Sequence, residues 1–131
     1  YTSTGIKYLK HLDRIEKYSN DPMHFLIIAT SDGKPVGYIW IQNYGSHLRV
    51  GHSTARLHDV FVLENFRGQG IATELFNRGK RWCNQTGVKY LQWQADKDAV
   101  AFYRKLGLEG DTKSDLVEHP FYEIEFNTLN D

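Results

Sequence analysis

The stretch H-D-V-F-V-L-E-N-F-R-G-Q-G-I-A-T-E-L-F, residues 58–76, contains residue types that suit phosphate binding. An apolar run ends at Glu64, and a helical pattern begins directly after Arg67-Gly68-Gln69-Gly70. The first turn of a helix leaves about four backbone N–H groups without partners and carries about half a positive charge. Glycines let an anion approach these groups, and an arginine adds a forked cation. We therefore predict a pyrophosphate cradle that consists of Arg67, Gly68, Gln69, Gly70, Ile71, Ala72 and Thr73.

Three glycine-rich phosphate motifs can be compared with this stretch. A P-loop requires Gly-Lys-Ser/Thr after four intervening residues, and that combination is absent. The dinucleotide-binding fingerprint fails because Thr73 stands in place of its last glycine. The third motif, Arg-x-x-Gly-x-Gly/Ala, is matched by Arg67, Gly70 and Ala72.

The elements that must position the cradle follow from hydrophobic periodicity. Helical spacing of apolar residues predicts helices over 6–18, 70–86 and 99–106. Short apolar or alternating runs predict strands over 24–30, 35–42, 56–63, 88–95 and 121–126. The first two strands form a predicted hairpin, and the polar stretch 43–55 is expected to be a loop or a ragged strand end. This order predicts an α/β fold in one domain over 1–131. Its mixed central sheet carries helices on both faces and contains a right-handed parallel βαβ unit.

Composition argues against several classes of function. Lys+Arg and Asp+Glu number 16 each, so the formal net charge is zero and offers no electrostatic basis for binding nucleic acid or an anionic membrane. No apolar run approaches the roughly 20 residues that span a bilayer. A single cysteine, Cys83, excludes an internal disulfide and is compatible with a cytoplasmic location. The six histidines lack the spacing of a helix-borne zinc site, so no metal is expected.

Two segments resemble the GNAT superfamily of acetyl-CoA-dependent N-acetyltransferases. One is V-L-E-N-F-R-G-Q-G-I-A, residues 62–72, and the other is D-K-D-A-V-A-F-Y-R-K-L-G, residues 96–107. The second is similar to the family's Asn-x-x-Ala-x-x-Leu/Phe-Tyr-x-x-x-Gly. The order of predicted elements also agrees with the family from residue 6 to 126. The chain departs from the family pattern at Asp96, where the family has Asn. The first strand of the family is also expected to be missing or truncated here.

The resemblance implies how acetyl-CoA is held. The strand before the cradle splays from its neighbour in this family, and its backbone pairs with the pantetheine arm. That role falls on Val60, Phe61 and Val62, whose side chains we expect to be core. A backbone N–H there would polarise the thioester carbonyl, and Asp96 takes a further cofactor-binding position.

Tyr103 occupies the family's general-acid position. A phenol has a reference pKa of about 10, so it is protonated at neutral pH and can donate to the leaving sulfur. The alternative is a half-buried aromatic residue that stabilises the core together with Phe102. Cys83 falls on the apolar helix face and is expected to be inert.

The base has three candidates. His58 stands where polyamine acetyltransferases carry Glu, and its reference pKa near 6.5 suits a base. Asp59 stands where aminoglycoside acetyltransferases carry Asp. Strand alternation places the two on opposite faces, so that only one would face the amine. A water relay without a dedicated base is the third candidate.

The resemblance also implies a substrate class. Residues 57–75 and 94–107 are similar to aminoglycoside 3-N-acetyltransferases, and 57–73 also to polyamine acetyltransferases. Both resemblances favour a small cationic amine as acceptor by direct attack in a ternary complex. Acidic and aromatic side chains could shape its site, namely Asp13, Glu16, Asp21, Asp111, Asp115, Glu118, Tyr38, Trp40 and Tyr44. The alternatives are acetylation of a protein lysine or N-terminus, and a CoA-binding module without turnover. A homodimer fits the resemblance.

Overall fold

Five strands form one sheet in chain order. The computed structural model describes residues 18, 20–46, 48, 51–110 and 120–126. The strands are β1 (His24–Ser31), β2 (Lys34–Ser46), β3 (Ser53–Val62), β4 (Val88–Gln94) and β5 (Phe121–Glu125). The helices are α1 (Ile71–Gln85) and α2 (Val100–Lys105), each preceded by a short 3-10 turn, Glu64–Phe66 and Lys97–Ala99. Neighbouring strands are antiparallel except β3 and β4, which are parallel, so the predicted mixed sheet is confirmed.

The predicted hairpin is confirmed, and the stretch 43–55, expected to be a loop or a ragged strand end, contains the ends of two strands with an irregular register between Asn43 and Ser46. Asp32 and Gly33 both have positive φ, which is typical of a tight turn between twisted antiparallel strands. β2 runs on to Ser46 and β3 begins at Ser53, so both strands extend into this polar stretch. The Asn43 Oδ1 accepts hydrogen bonds from the Gly45 N–H (2.8 Å) and the Ser53 hydroxyl (2.9 Å), which stabilises this polar strand end.

The βαβ unit contains the opening on which the site depends. β3 pairs with β4 from Ser53 with Val88 to Arg56 with Gln92, and no pair follows. β3 nevertheless continues for six more residues, to Val62. The two strands therefore diverge into a gap whose narrow end is at Arg56 and Gln92.

The main core lies between the sheet and the helices. Leu75, Phe76 and Cys83 of α1 pack in one cluster with Tyr103 of α2 and with inward side chains of all five strands. We call the sheet face that contacts this cluster the first face. A smaller cluster around Tyr38 and Phe61 lies on the opposite side, which we call the second face.

Several predictions fall on the remainder of the chain. The predicted helix over 6–18 lies outside the described residues apart from Tyr18, and with it the expectation of helices on both faces. The single domain over 1–131 and the missing first strand stay predictions. None of the helices described is both long and apolar enough to cross a bilayer.

Candidate active site

The cradle begins with two glycines in the left-handed conformation. Gly68 has φ of 79° and Gly70, the N-cap of α1, has φ of 84°. A Cβ atom built on either residue meets no atom within 4 Å, so the space beside both backbones is open. No side chain caps the helix at Gly70. The first N–H groups of α1 are therefore available to an anion, as the sequence predicts for this position.

Arg67 is held against the end of β3. Its Nε donates a 2.8 Å hydrogen bond to the Val62 carbonyl oxygen, and its Cζ lies 5.9 Å from the centre of the Phe61 ring. These contacts place a guanidinium at the point where the strand leads into the cradle. A cation held in this way loses less side-chain entropy when it binds a phosphate.

A pocket of about 300 Å³ opens at the cradle. All the cradle residues line it except Gln69, together with Val62 from β3. Three further lining residues were not predicted from the sequence, namely Phe66, Phe102 and Lys105. Lys105 lies within the second GNAT-like segment, but its place beside the cradle depends on the packing of α2, so no local sequence signal identified it.

Val60, Phe61 and Val62 lie along the gap between β3 and β4. All three side chains are buried, Val60 and Val62 in the main core and Phe61 in the second cluster, as expected for core residues. Their backbone faces β2 on one side, whereas the β4 side has no strand pairing. This arrangement is the splay that the family resemblance implies.

The prediction that His58 and Asp59 lie on opposite faces is wrong. β2 pairs Trp40 with Asp59 but Ile41 with Leu57, so His58 is an extra residue in β3. Such a β-bulge interrupts the alternation of side chains. Leu57 and Val60 both point into the main core, and the two residues between them therefore share the second face. The bulge brings both candidate bases together.

Asp59 is mostly buried beside Tyr38, whose hydroxyl donates a hydrogen bond to the Asp59 Oδ2. Burial raises the pKa of Asp59, and the hydrogen bonds from Tyr38 and the Val60 backbone oppose this rise. The charge of Asp96 raises the Asp59 pKa slightly further, so Asp96, which is exposed just after β4, lies within electrostatic reach of Asp59.

His58 lies against an indole ring. Its ring centre is 4.3 Å from that of Trp40, and its Nε2 is 2.9 Å from the Gln42 Oε1. With the Gln42 amide in this orientation its oxygen can only accept, so Nε2 is the donor and Nδ1 has the lone pair of a base. Burial lowers the pKa of His58, and the nearby charges of Arg56 and His24 lower it further. The imidazole is thereby kept neutral near physiological pH.

Tyr103 is 5% exposed and packs among aromatic rings of the main core. Its ring centre is 5.3 Å from that of Trp93 and 4.9 Å from that of Tyr122. It does not line the cradle pocket, although its neighbour Phe102 does. Trp93 is one residue beyond the last β3–β4 pair and therefore lies at the gap. Because Tyr103 of α2 packs on Trp93, α2 covers the gap from the first face.

The remaining candidates are less central. Cys83 is fully buried, and burial raises the pKa of its thiol to about 12, so it is an inert core residue. Asp21 is exposed, its Oδ1 accepting a hydrogen bond from the Met23 N–H. The other predicted acidic residues, Asp13, Glu16, Asp111, Asp115 and Glu118, lie outside the described residues. Within the described residues, no three His, Cys, Asp or Glu side chains converge as metal ligands would.

Comparison with known proteins agrees with this geometry. An uncharacterized N-acetyltransferase of Methanocaldococcus jannaschii is 34% identical over 90 residues, which are 63% of this chain and 38% of that protein. The chain thus spans well under half the length of this curated relative.

Two solved structures share the fold. The PaiA N-acetyltransferase of Thermoplasma acidophilum, in complex with coenzyme A, has a TM-score of 0.72 at 13% identity, covering 96% of this chain and 80% of that one. An aminoglycoside acetyltransferase from an uncultured soil metagenomic sample has a TM-score of 0.63 at 24% identity, covering 72% of this chain and 65% of that one. Residues 3–108 match the acetyltransferase (GNAT) family, and the chain belongs to that family.

Proposed function

We propose that this protein is an acetyl-CoA-dependent N-acetyltransferase that acts on a primary amine of a small molecule by direct attack in a ternary complex. The observation that carries the proposal is the gap between β3 and β4. It lies beside a glycine cradle at a helix start, and two proton acceptors stand at its narrow end.

The residues present fit acetyl-CoA. Arg67, Gly70 and Lys105 all line the cradle pocket, so two cations accompany a helix start that no side chain caps, which suits a pyrophosphate. The Trp93 Nε1–H is buried and has no hydrogen-bond partner within the described part of the chain. A buried donor without an acceptor costs about 1–3 kcal/mol, so a ligand carbonyl in the gap would relieve it. When bound, acetyl-CoA supplies the activated acetyl group.

Each step of the acetyl transfer can be assigned to a residue of this chain. The Leu63 N–H bonds to Val36 on the β2 side, so strand alternation directs the Val62 N–H towards the gap, where it polarises an acetyl carbonyl. Asp59 binds the acceptor ammonium, and the His58 Nδ1 accepts its proton. Tyr103 donates a proton to the leaving sulfur. A water relay in place of His58 is the alternative route for the proton.

The acceptor is cationic at its reacting nitrogen. The carboxylate of Asp59 supports this, since its burial increases its attraction for an ammonium. The sequence resemblance to aminoglycoside and polyamine acetyltransferases likewise favours an ammonium as the reacting group, without fixing the rest of the acceptor. The alternatives are a protein lysine or N-terminus as acceptor, and a CoA-binding module without turnover. A homodimer and a cytoplasmic location stay predictions.

The proposal is tested by measuring acetyl-CoA binding and CoA release with a panel of amines. We expect release with at least one class of small amine. Gly70→Asp should abolish acetyl-CoA binding, because it adds a carboxylate to the cradle and strains a left-handed residue. Gly33→Asp is the matched control, since it places the same side chain on a left-handed glycine with open space in the β1–β2 turn. Equal affinity in the two variants would contradict the cradle.

The acid is tested with Tyr103→Phe. If Tyr103 protonates the leaving sulfur, turnover should fall by about 10²–10⁴-fold while acetyl-CoA affinity changes little. Tyr122→Phe, in the same aromatic cluster, controls for packing and should keep its activity. Binding of acetyl-CoA without CoA release from any amine would favour the non-catalytic module.

A further inference from the structure

A second pocket lies at the narrow end of the gap, on the second face. Its volume is about 210 Å³, and its polar and aromatic lining includes Tyr44, Thr54, Arg56, Gln92, Gln94 and Phe121. It shares no lining residue with the cradle pocket. The cofactor and a ligand bound in this second pocket would thus reach the gap from different sides.

Arg56 connects this pocket to the candidate bases. It pairs across the sheet with Gln42 on β2 and with Gln92 on β4. Gln42 in turn contacts His58, and the charge of Arg56 lowers the pKa of the His58 imidazole. Arg56 also shares the second face with His58 and Asp59, because its neighbour Leu57 points into the main core.

The pocket offers hydrogen-bond donors to a ligand. Arg56 is exposed and makes no ion pair with any of the described residues. The nearest acidic side chain on β5, Glu123, accepts a 2.7 Å hydrogen bond from the Gln92 Nε2. No described carboxylate forms an ion pair with Arg56, so its guanidinium is available to an anionic ligand.

We propose that Arg56 binds an anionic group, a carboxylate or a phosphate, of the acceptor amine, whose ammonium lies at Asp59 and His58. This deepens and rests on the proposed acetyltransferase function. Arg56 and Asp59 flank the bulge and pair with Gln42 and Trp40, which are two residues apart on β2, so they lie about 7 Å apart along the sheet. The long arginine side chain can shorten that span, so a compact zwitterion reaches both charges. A polyamine would instead bring a second cation to Arg56 and be repelled.

The test compares matched amines that differ only in the anionic group. Ethanolamine phosphate against ethanolamine tests a phosphate, and γ-aminobutyrate against its amide tests a carboxylate, with amino acids, spermidine and a lysine peptide alongside. The wild-type protein should show higher kcat/KM for the anionic member of at least one pair. The pair that responds identifies the anionic group.

Variants at Arg56 provide the readout that separates binding from folding. At a pH where His58 is neutral in both proteins, Arg56→Gln should raise KM for the anionic amine about tenfold to a hundredfold, with little change in kcat and a much smaller effect on KM for the neutral amine. Arg56→Lys should recover part of the loss. Arg81→Gln, an exposed arginine on α1, is the matched control and should behave as the wild type.

Two results would overturn the inference, and they are distinguishable. CoA release with neutral or polycationic amines and none with their anionic counterparts would contradict the role of Arg56 while leaving the acetyltransferase function intact. The same conclusion follows if Arg56→Gln affects both members of a pair equally. Absence of CoA release from every amine, despite acetyl-CoA binding, would overturn the proposed function itself.

Discussion

His58 and Asp59 present two chemically different proton acceptors to the same space. The environment moves their pKa values towards each other, because burial raises that of Asp59 and, with Arg56, lowers that of His58. Asp59 is also engaged by the Tyr38 hydroxyl, whereas the His58 Nδ1 carries a lone pair. We therefore assign ammonium binding to Asp59 and proton transfer to His58.

This assignment predicts the acid side of the pH profile. His58 must be neutral to accept a proton, so kcat/KM should fall as the pH drops through the His58 pKa, which lies below its ordinary value near 6.5. His58→Gln should lower kcat by about 10²–10⁴-fold and remove this step from the profile. Asp59→Asn should chiefly raise KM and keep the step.

The reverse outcome, with the step lost only in Asp59→Asn, would make Asp59 the base. A profile unchanged in both variants would favour the water relay. Steady-state CoA release across the pH range distinguishes these cases, with acetyl-CoA binding measured for each variant as the control for folding.

For individual residues, the sequence predicted which residue types form the site better than it predicted where their side chains point. The cradle glycines were predictable because few other residues adopt a positive φ beside a helix start. The shared face of His58 and Asp59 was not, because a bulge depends on how β2 pairs with β3 rather than on β3 alone. Arg56 and Lys105 were missed as site residues for the same reason, since their roles depend on neighbours distant in sequence.

Helix α1 positions the cradle by packing closely on β2. A Cβ on Gly79 would lie 2.7 Å from the Ile41 Cδ1 and 3.0 Å from the Ile39 Cδ1, so the helix approaches the sheet where it lacks a side chain. The same helix carries Gly70 at its start and Cys83 near its end. A displacement of α1 from the sheet would therefore move the cradle relative to β3.

This close approach predicts the effect of Gly79→Ala. Alanine favours a helix over glycine by about 1 kcal/mol, but the added methyl group overpacks two buried isoleucines, which typically costs about 1–3 kcal/mol. We expect net destabilisation in urea unfolding, with weaker acetyl-CoA binding. Asn77→Ala, exposed on the same helix, is the control and should not destabilise. A stabilised Gly79→Ala variant would contradict close packing of α1 on β2.

Element order was predictable along the described chain, and strand ends were less so. The βαβ unit and the hairpin follow from local periodicity and turn residues. β2 and β3 extend further because backbone pairing and the side chain of Asn43 stabilise a polar stretch with no apolar pattern. Pairing partners of this kind are not encoded in a local window of sequence.

In the molecule as a whole, the cofactor and the acceptor are assigned to different sides of one gap. Cofactor binding is assigned to the cradle at the start of α1, and acceptor binding to the second face, where the bulge directs both bases. The main core joins these parts, because α1, α2 and all five strands contribute side chains to it. Acetyl-CoA binding should therefore stabilise the fold as a whole rather than the cradle alone.

Cys83 offers a direct measurement of that coupling. Its thiol is fully buried with a pKa of about 12, so an alkylating reagent should react only when the core opens. With acetyl-CoA at about 100 times its Kd, the opened population should fall about 100-fold, and alkylation should slow by the same factor. Gly70→Asp should lose this protection while reacting at the wild-type rate without ligand, after correction for its own stability. If acetyl-CoA binds and the alkylation rate does not change, Cys83 must become accessible by local opening of the last turns of α1. The cradle and the core would then be separate units of stability.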